Sequence, residues 1–210
     1  MRERRLRGLY LVTPDTADTA SLLVGVEAAL AGRPALLQYR SKQPDALLRR
    51  EQAGEIRTLC RRAGVPFIVN DSLELALAVD ADGVHLGLED GDLAGARRAL
   101  GARGILGVTC YDEWPRAQAA VAAGADYVAF GAVFASATKP AAVHAPLDLF
   151  TRGRRELGVA LTAIGGITLD NAADVVAAGA DLLAVISDVF DAPEPAARAA
   201  GYAALFDASA

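Results

Sequence analysis

Lysine occurs only at Lys42 and Lys139 in this chain, although 21 residues are basic and all the others are arginine. A compact ammonium with rotatable donors suits a point contact to phosphate oxygens or to a leaving group, a task a planar guanidinium does not duplicate. Asp71 and Asp90 offer carboxylate oxygens of the kind Mg²⁺ takes when waters and substrate phosphates complete its shell. Asp71 also stands before Ser72, where it could instead cap a helix. Gly165-Gly166 followed by Thr168, and Ile186-Ser187, bring backbone N–H groups and helix starts, which hold an anion without a charged side chain. Together these residues imply two anionic groups, one shared with a metal and one held by neutral donors.

Positioning such groups requires a scaffold, and the chain alternates short apolar runs with longer segments rich in Ala, Leu, Arg and Glu. That is the pattern of repeated strand and helix units. Strands are expected at 8–13, 35–39, 67–70, 83–86, 105–109, 127–130, 161–164 and 182–186. The helices that follow them are expected near 19–30, 44–63, 72–79, 92–100, 114–123, 147–157, 169–178 and 195–206. Ala81-Asp82-Gly83, Ala125-Asp126-Tyr127 and Ala180-Asp181-Leu182 mark the same step into a strand two units apart, so these aspartates read as structural. Gly124 and Gly179, just before two of them, suit left-handed helix caps. Eight such units fill the 210 residues as one domain, an α/β chain folded as a single (β/α)₈ barrel, whose active site lies at the carboxyl ends of the strands. An open doubly wound sheet is the rival, but G-x-G-x-x-G, G-x-x-x-x-G-K-[ST] and G-x-S-x-G are all missing.

Composition excludes other classes. With 53% hydrophobic residues the chain is globular, and a net charge of −5 with double arginines dispersed along its length describes solvated helix faces rather than a nucleic-acid stripe. The most apolar stretch, 119–137, is broken by Gly124, Asp126 and Gly131, so no membrane span is expected, and the charged first residues are no export signal. Cys60 and Cys110 lack Cys or His neighbours and read as reduced thiols of a cytoplasmic protein. His85 reads as a satisfied core histidine and His144 as an exposed loop residue. Trp114 and Tyr111 read as packing or as substrate lining.

Six segments, in order and covering most of the chain, resemble the thiamine-phosphate synthases. They are Gln38-Tyr39-Arg40-Ser41-Lys42, Val69-Asn70-Asp71, Gly83-Val84-His85-Leu86-Gly87 running on to Asp90, Ser136-Ala137-Thr138-Lys139, Ile164-Gly165-Gly166-Ile167 and Val185-Ile186-Ser187. The resemblance implies a Mg²⁺-dependent transferase. It would join 4-amino-5-hydroxymethyl-2-methylpyrimidine diphosphate to a thiazole phosphate, carboxylated or not, and release pyrophosphate. Carried over by position, Gln38 would face the pyrimidine, Tyr39 would belong to the pyrimidine-diphosphate site, and Arg40, Lys42, Asn70, Thr109 and Lys139 would bind the diphosphate. Ser136, Thr138, Gly166, Ile186 and Ser187 would hold the thiazole phosphate, with Asp71 and Asp90 on the metal. Arg40, Lys42 and Lys139 would be the catalytic cations. The chain departs from the family pattern at Thr109 and Ser136, which keep a hydroxyl, and at Ser41 and Pro140, which change the loops around them.

The nearest rival is the related thiazole tautomerase, which carries a histidine where this chain has Tyr111 and lacks the diphosphate set. A non-catalytic phosphate sensor would leave the cationic and metal groups unexplained. The partners expected are small molecules, with no nucleic acid and no membrane, and with a homo-oligomer left open.

Overall fold

The computed structural model describes residues 6–87, 91–135 and 144–207. Its centre is a closed parallel barrel in the order β1-β2-β3-β4-β5-β6-β7-β8. The strands are β1 (Gly8–Val12), β2 (Leu36–Tyr39), β3 (Phe67–Asn70), β4 (Gly83–Leu86), β5 (Ile105–Tyr111), β6 (Tyr127–Gly131), β7 (Ala160–Ile164) and β8 (Leu182–Val185). Around it lie α1 (Thr19–Leu30), α2 (Ala46–Ala63), α3 (Leu73–Ala78), α4 (Leu93–Leu100), α5 (Trp114–Ala122), α6 (Asp148–Glu156) and α7 (Leu169–Ala178), then α8 (Ser187–Phe190) and α9 (Pro195–Asp207). The barrel closes where Gly8 pairs with Leu182. The eight expected strands are all present. The short helix α8 was not anticipated, because four residues are too few to show a helical period.

Because successive side chains alternate across a strand, each strand feeds two cores. One face packs Leu37, Val69, Val108 and Leu161 against helix residues such as Ala53, Ala117 and Ala172, whose small side chains let the helices lie close. The other face fills the barrel with Tyr10, Leu36, Ile68, Ile105, Tyr127 and Leu182. Gly107 on β5 makes room for the largest of these: a Cβ there would stand 2.0 Å from the Tyr127 ring, so only glycine fits.

The repeated aspartates secure the amino-terminal rim, as expected. Asp82, Asp126 and Asp181 accept from N–H groups at the starts of β3, β5 and β7, at Phe67 (2.8 Å), Leu106 (2.7 Å) and Leu161 (3.1 Å). Each satisfies a donor that the ladder leaves over. Ala35, which donates to Leu9 O at 2.7 Å as Asp82 donates to Phe67 O, holds the fourth equivalent position without a carboxylate. Gly179 supplies the left-handed cap of α7, and Gly124, at φ 91°, follows the end of α5.

Candidate active site

At the carboxyl-terminal rim the first supports come from β1. Thr13, fully buried, accepts from Arg40 N at 2.9 Å and donates to Arg40 O at 3.3 Å, gripping that residue's backbone from both sides. Asp15 then gathers the next turn, accepting from Lys42 N at 3.1 Å, Ser41 Oγ at 3.4 Å and Gln43 Nε2 at 3.2 Å. The loop that carries both cations is thus fixed through its main chain, and the Lys42 side chain stays exposed. Neither Thr13 nor Asp15 is recognisable from sequence, because each acts on a residue more than twenty-five positions away.

The period-two alternation separates Gln38 and Tyr39, both expected in the pyrimidine-diphosphate site. Gln38 follows Leu36 onto the interior face, whereas Tyr39 turns outward between β2 and α2 and donates to Gln52 Oε1 at 2.8 Å. Tyr39 therefore does not join the interior group, and its own burial raises its phenol pKa.

Inside the barrel a polar chain begins at Gln38. Its Nε2 donates to Tyr10 Oη at 2.7 Å, and Tyr10 Oη is bonded to Tyr127 Oη. His85 then lies between Tyr127 Oη, 3.0 Å from Nδ1, and Thr109 Oγ1, 2.7 Å from Nε2. Burial pushes the Tyr10 and Tyr127 phenols well above their ordinary range, so both stay protonated at any working pH. His85 is the satisfied interior histidine that the sequence suggests. The tyrosines were missed as polar groups because a Tyr within an apolar strand reads as core; counting the alternation from Gln38 would have placed them inside.

Asn70 ends β3 on the same interior face, in register with His85. Asp71 follows with φ 61°, a left-handed conformation that Asp tolerates better than most residues, and its N–H donates to His85 O at 2.8 Å. The alternative role of Asp71 as a helix cap is taken by Ser72, whose Oγ accepts from Leu75 N at 3.1 Å. Asp71 follows the end of β3, and a carboxylate there is a hard oxygen ligand of the kind that fits Mg²⁺. Asp90 lies outside the described residues. Among the described residues no three His, Cys, Asp or Glu side chains cluster as a metal site, so Asp71 would leave most of the shell to other oxygens.

Across the rim, β7 and β8 present neutral donors. Gly165 and Gly166 have φ of 104° and 63°, and a Cβ on Gly166 would lie 2.4 Å from Ala135 O, so this turn depends on glycine both sterically and conformationally. Asn171 ties it to α7, accepting from Thr168 N at 2.9 Å and donating to Gly166 O at 3.0 Å. Ile186 and Ser187 begin α8, and such a short extra helix after β8 is where barrels commonly seat a phosphate. Asp188 of α8 accepts from Tyr202 Oη at 2.6 Å, anchoring α8 to α9. Ser136 and Thr138, expected at the thiazole phosphate, and Lys139, expected at the diphosphate, lie outside the described residues.

The remaining candidates belong to the scaffold. Trp114 is stacked on Phe130 and carries the Arg152 guanidinium 3.9 Å from its ring centroid, so it is packing. Tyr111 is exposed with Arg116 over its ring, and His144 is exposed, so neither is buried in the core. Cys60 and Cys110 are buried free thiols whose pKa values burial pushes up to about 12. No helix among the described residues is long and apolar enough to cross a membrane.

A sequence profile described as thiamine monophosphate synthase matches residues 9–189. A thiamine-phosphate synthase of Aromatoleum aromaticum is 76% identical over 208 residues, covering 99% of this chain and 100% of that one. A thiamine-phosphate synthase of Azoarcus sp. is 62% identical, covering 96% and 98%. Among solved structures, a thiamine phosphate pyrophosphorylase from Pyrococcus furiosus superposes with a TM-score of 0.86 at 31% identity, covering 98% of each chain.

Proposed function

The chain belongs to the thiamine monophosphate synthase family, and on that premise we propose that its carboxyl-terminal rim joins an aminopyrimidine methyl diphosphate to a thiazole phosphate. It is a transferase of thiamine biosynthesis. The observation that carries the substrate assignment is the division of the rim into two arcs. Gln38, Arg40, Asn70, Asp71 and Thr109 share β2 to β5 and their loops, while Gly166, Ile186 and Ser187 face them from β7 and β8.

Gln38 meets the pyrimidine, and Arg40, Lys42, Asn70, Thr109 and Lys139 bind the diphosphate. Asp71 and Asp90 would hold Mg²⁺, which when bound would supply positive charge to the departing diphosphate. As the methylene C–O bond lengthens, the Arg40, Lys42 and Lys139 cations take up the charge growing on the departing oxygen. The bond's electron pair leaves with the diphosphate, and the electron-rich pyrimidine stabilises the methylene cation. Ser136, Thr138, Gly166, Ile186 and Ser187 hold the thiazole phosphate so that its ring nitrogen forms the new C–N bond. No proton changes hands, so no general base is needed. That agrees with an interior His85 whose two nitrogens are engaged by Tyr127 and Thr109. Two buried thiols and phosphorylated substrates fit a cytoplasmic enzyme.

The test is pyrophosphate release with each substrate omitted in turn. Thiamine phosphate and pyrophosphate are expected only when both substrates and Mg²⁺ are present. Conversion of the thiazole phosphate alone, with no pyrophosphate, would overturn the assignment in favour of a tautomerase.

A further inference from the structure

We propose that Tyr10, Tyr127 and His85 are positioning residues, forming one directional hydrogen-bond chain through the barrel that sets which atom Gln38 and Thr109 each present at the rim. The inference rests on the substrate assignment above, in which Gln38 meets the pyrimidine and Thr109 the diphosphate.

The direction assigned to the chain starts from the Gln38 amide, which donates to Tyr10. Each phenol owns a single proton, because burial keeps both tyrosines protonated. Gln38 donates through Nε2 to Tyr10 Oη; we assign the Tyr10 proton to Tyr127 Oη and the Tyr127 proton to His85 Nδ1, in bonds whose heavy atoms fit either sense. In that sense the imidazole carries its hydrogen on Nε2 and donates to Thr109 Oγ1, and the Thr109 proton points out of the chain. Turning the amide over would put Oε1 on Tyr10 and reverse every bond, and Thr109 would then donate inward. The amide sense of Gln38 and the hydroxyl sense of Thr109 are therefore a single variable, linked by side chains that are buried between them.

In the direction drawn, Gln38 presents an acceptor, Oε1, and Thr109 presents a donor. An aminopyrimidine diphosphate is the complement, with a donor amino group at one end and acceptor oxygens at the other. A pyrimidinone diphosphate, which offers an oxo group where the amine was, meets Gln38 Oε1 as acceptor against acceptor and leaves it unpaired. Buried polar sites reject such a mismatch more strongly than apolar pockets reject a change of size. The chain thus gives the site its preference for the amine, at a distance from the atoms that touch it.

Tyr127→Phe cuts the chain at its middle and keeps the ring that fills the space over Gly107. Tyr10→Phe cuts it one bond nearer Gln38. For each variant, the KM for both substrates and the preference for amino over oxo pyrimidine are measured, with the melting temperature as a check on folding. Both are expected to raise the KM for the pyrimidine diphosphate ~10-fold, to leave the KM for the thiazole phosphate unchanged, and to reduce the amino preference by a similar factor. Combined with Gln38→Ala, either is expected to add little to what Gln38→Ala already does, because neighbours acting through one group are not additive. Additive losses, or equal changes in both KM values, would overturn the chain's positioning role alone. A Gln38→Ala variant that binds the pyrimidine diphosphate normally would overturn the site assignment, and the positioning role with it.

Discussion

The two rims of the barrel carry the same kinds of charge and use them in opposite ways. At the amino-terminal rim, Asp82, Asp126 and Asp181 close on strand N–H groups. Arg97 clasps Asp126 at 2.8 Å and the Gly104 carbonyl at 3.0 Å, and Arg57 reaches Asp82 at 3.4 Å. The arginine pairs 61–62, 97–98 and 154–155 all fall in last helical turns, where cations complement the helix dipole. At the carboxyl-terminal rim the charged residues are held from behind: Thr13 and Asp15 grip the backbone of the loop bearing Arg40 and Lys42. A charge bonded to its own backbone is scaffold; a charge whose loop is fixed for it is available for a ligand. Residue type alone does not separate the two, whereas the neighbours do.

The largest effect should come from the rim that leaves its cations available. Arg40→Ala and Lys139→Ala should each lower kcat/KM by ~10²-fold or more, the scale for losing one preorganised charge donor, while the melting temperature stays near that of the parent. Steady-state kinetics beside a melting curve check this, and a large fall in melting temperature would erase the distinction between the rims. The opposite profile belongs to Asp126→Ala, which removes the acceptor for Leu106 N and the partner of Arg97. It should destabilise by ~1.5 kcal/mol, lowering the melting temperature by about 3–6 °C, with kcat per folded molecule unchanged.

A third substitution probes the support rather than the charge. Thr13→Val keeps the buried volume but deprives Arg40 N of its acceptor. The expected loss is ~10-fold in kcat/KM, carried mostly in the KM for the diphosphate substrate, with a smaller stability change. If the melting temperature fell while kinetics held, Thr13 would belong with the scaffold.

These contrasts also explain what the sequence could and could not reveal. The strands are legible because each is an apolar run ended by polar residues, and the aspartate repeat could be assigned to structure because it recurs at the same step of the unit. Lys42 stood out by being an exception to an arginine-rich surface. Tyr10, Tyr127 and Thr13 were invisible for a different reason. Each works through an atom on another strand, and a tyrosine or threonine in an apolar run looks like packing until the barrel closes. Tyr39 was placed in the pyrimidine-diphosphate site by its place in a motif, although its parity relative to Gln38 already turns it outward.

The smallest expected effect refines the rim comparison by showing that not every carboxylate on the active side serves the substrate. Helices begin at that rim, and Asp18 and Asp92 cap α1 and α4 there: Asp18 accepts from Ser21 N at 3.1 Å, and Asp92 from Ala94 N at 2.9 Å. Hydrogen bonds from Ser21 hold the Asp18 pKa below its ordinary value, and those from the backbone N–H groups of Gly95 and Ala94 do the same for Asp92. A carboxylate whose folded pKa lies below its unfolded one contributes stability that is present above the unfolded pKa and lost as pH falls through the folded pKa. Asn still caps but does not titrate, so Asp92→Asn should make stability less dependent on pH below about pH 4, as read from urea midpoints across an acid series. Catalysis at neutral pH should not change. Asp71→Asn, at the same rim but with its capping duty taken by Ser72, should instead raise the Mg²⁺ concentration needed for half-maximal rate. Two aspartates on one rim that respond to different variables, proton and metal, would place the boundary between scaffold and site within the rim itself.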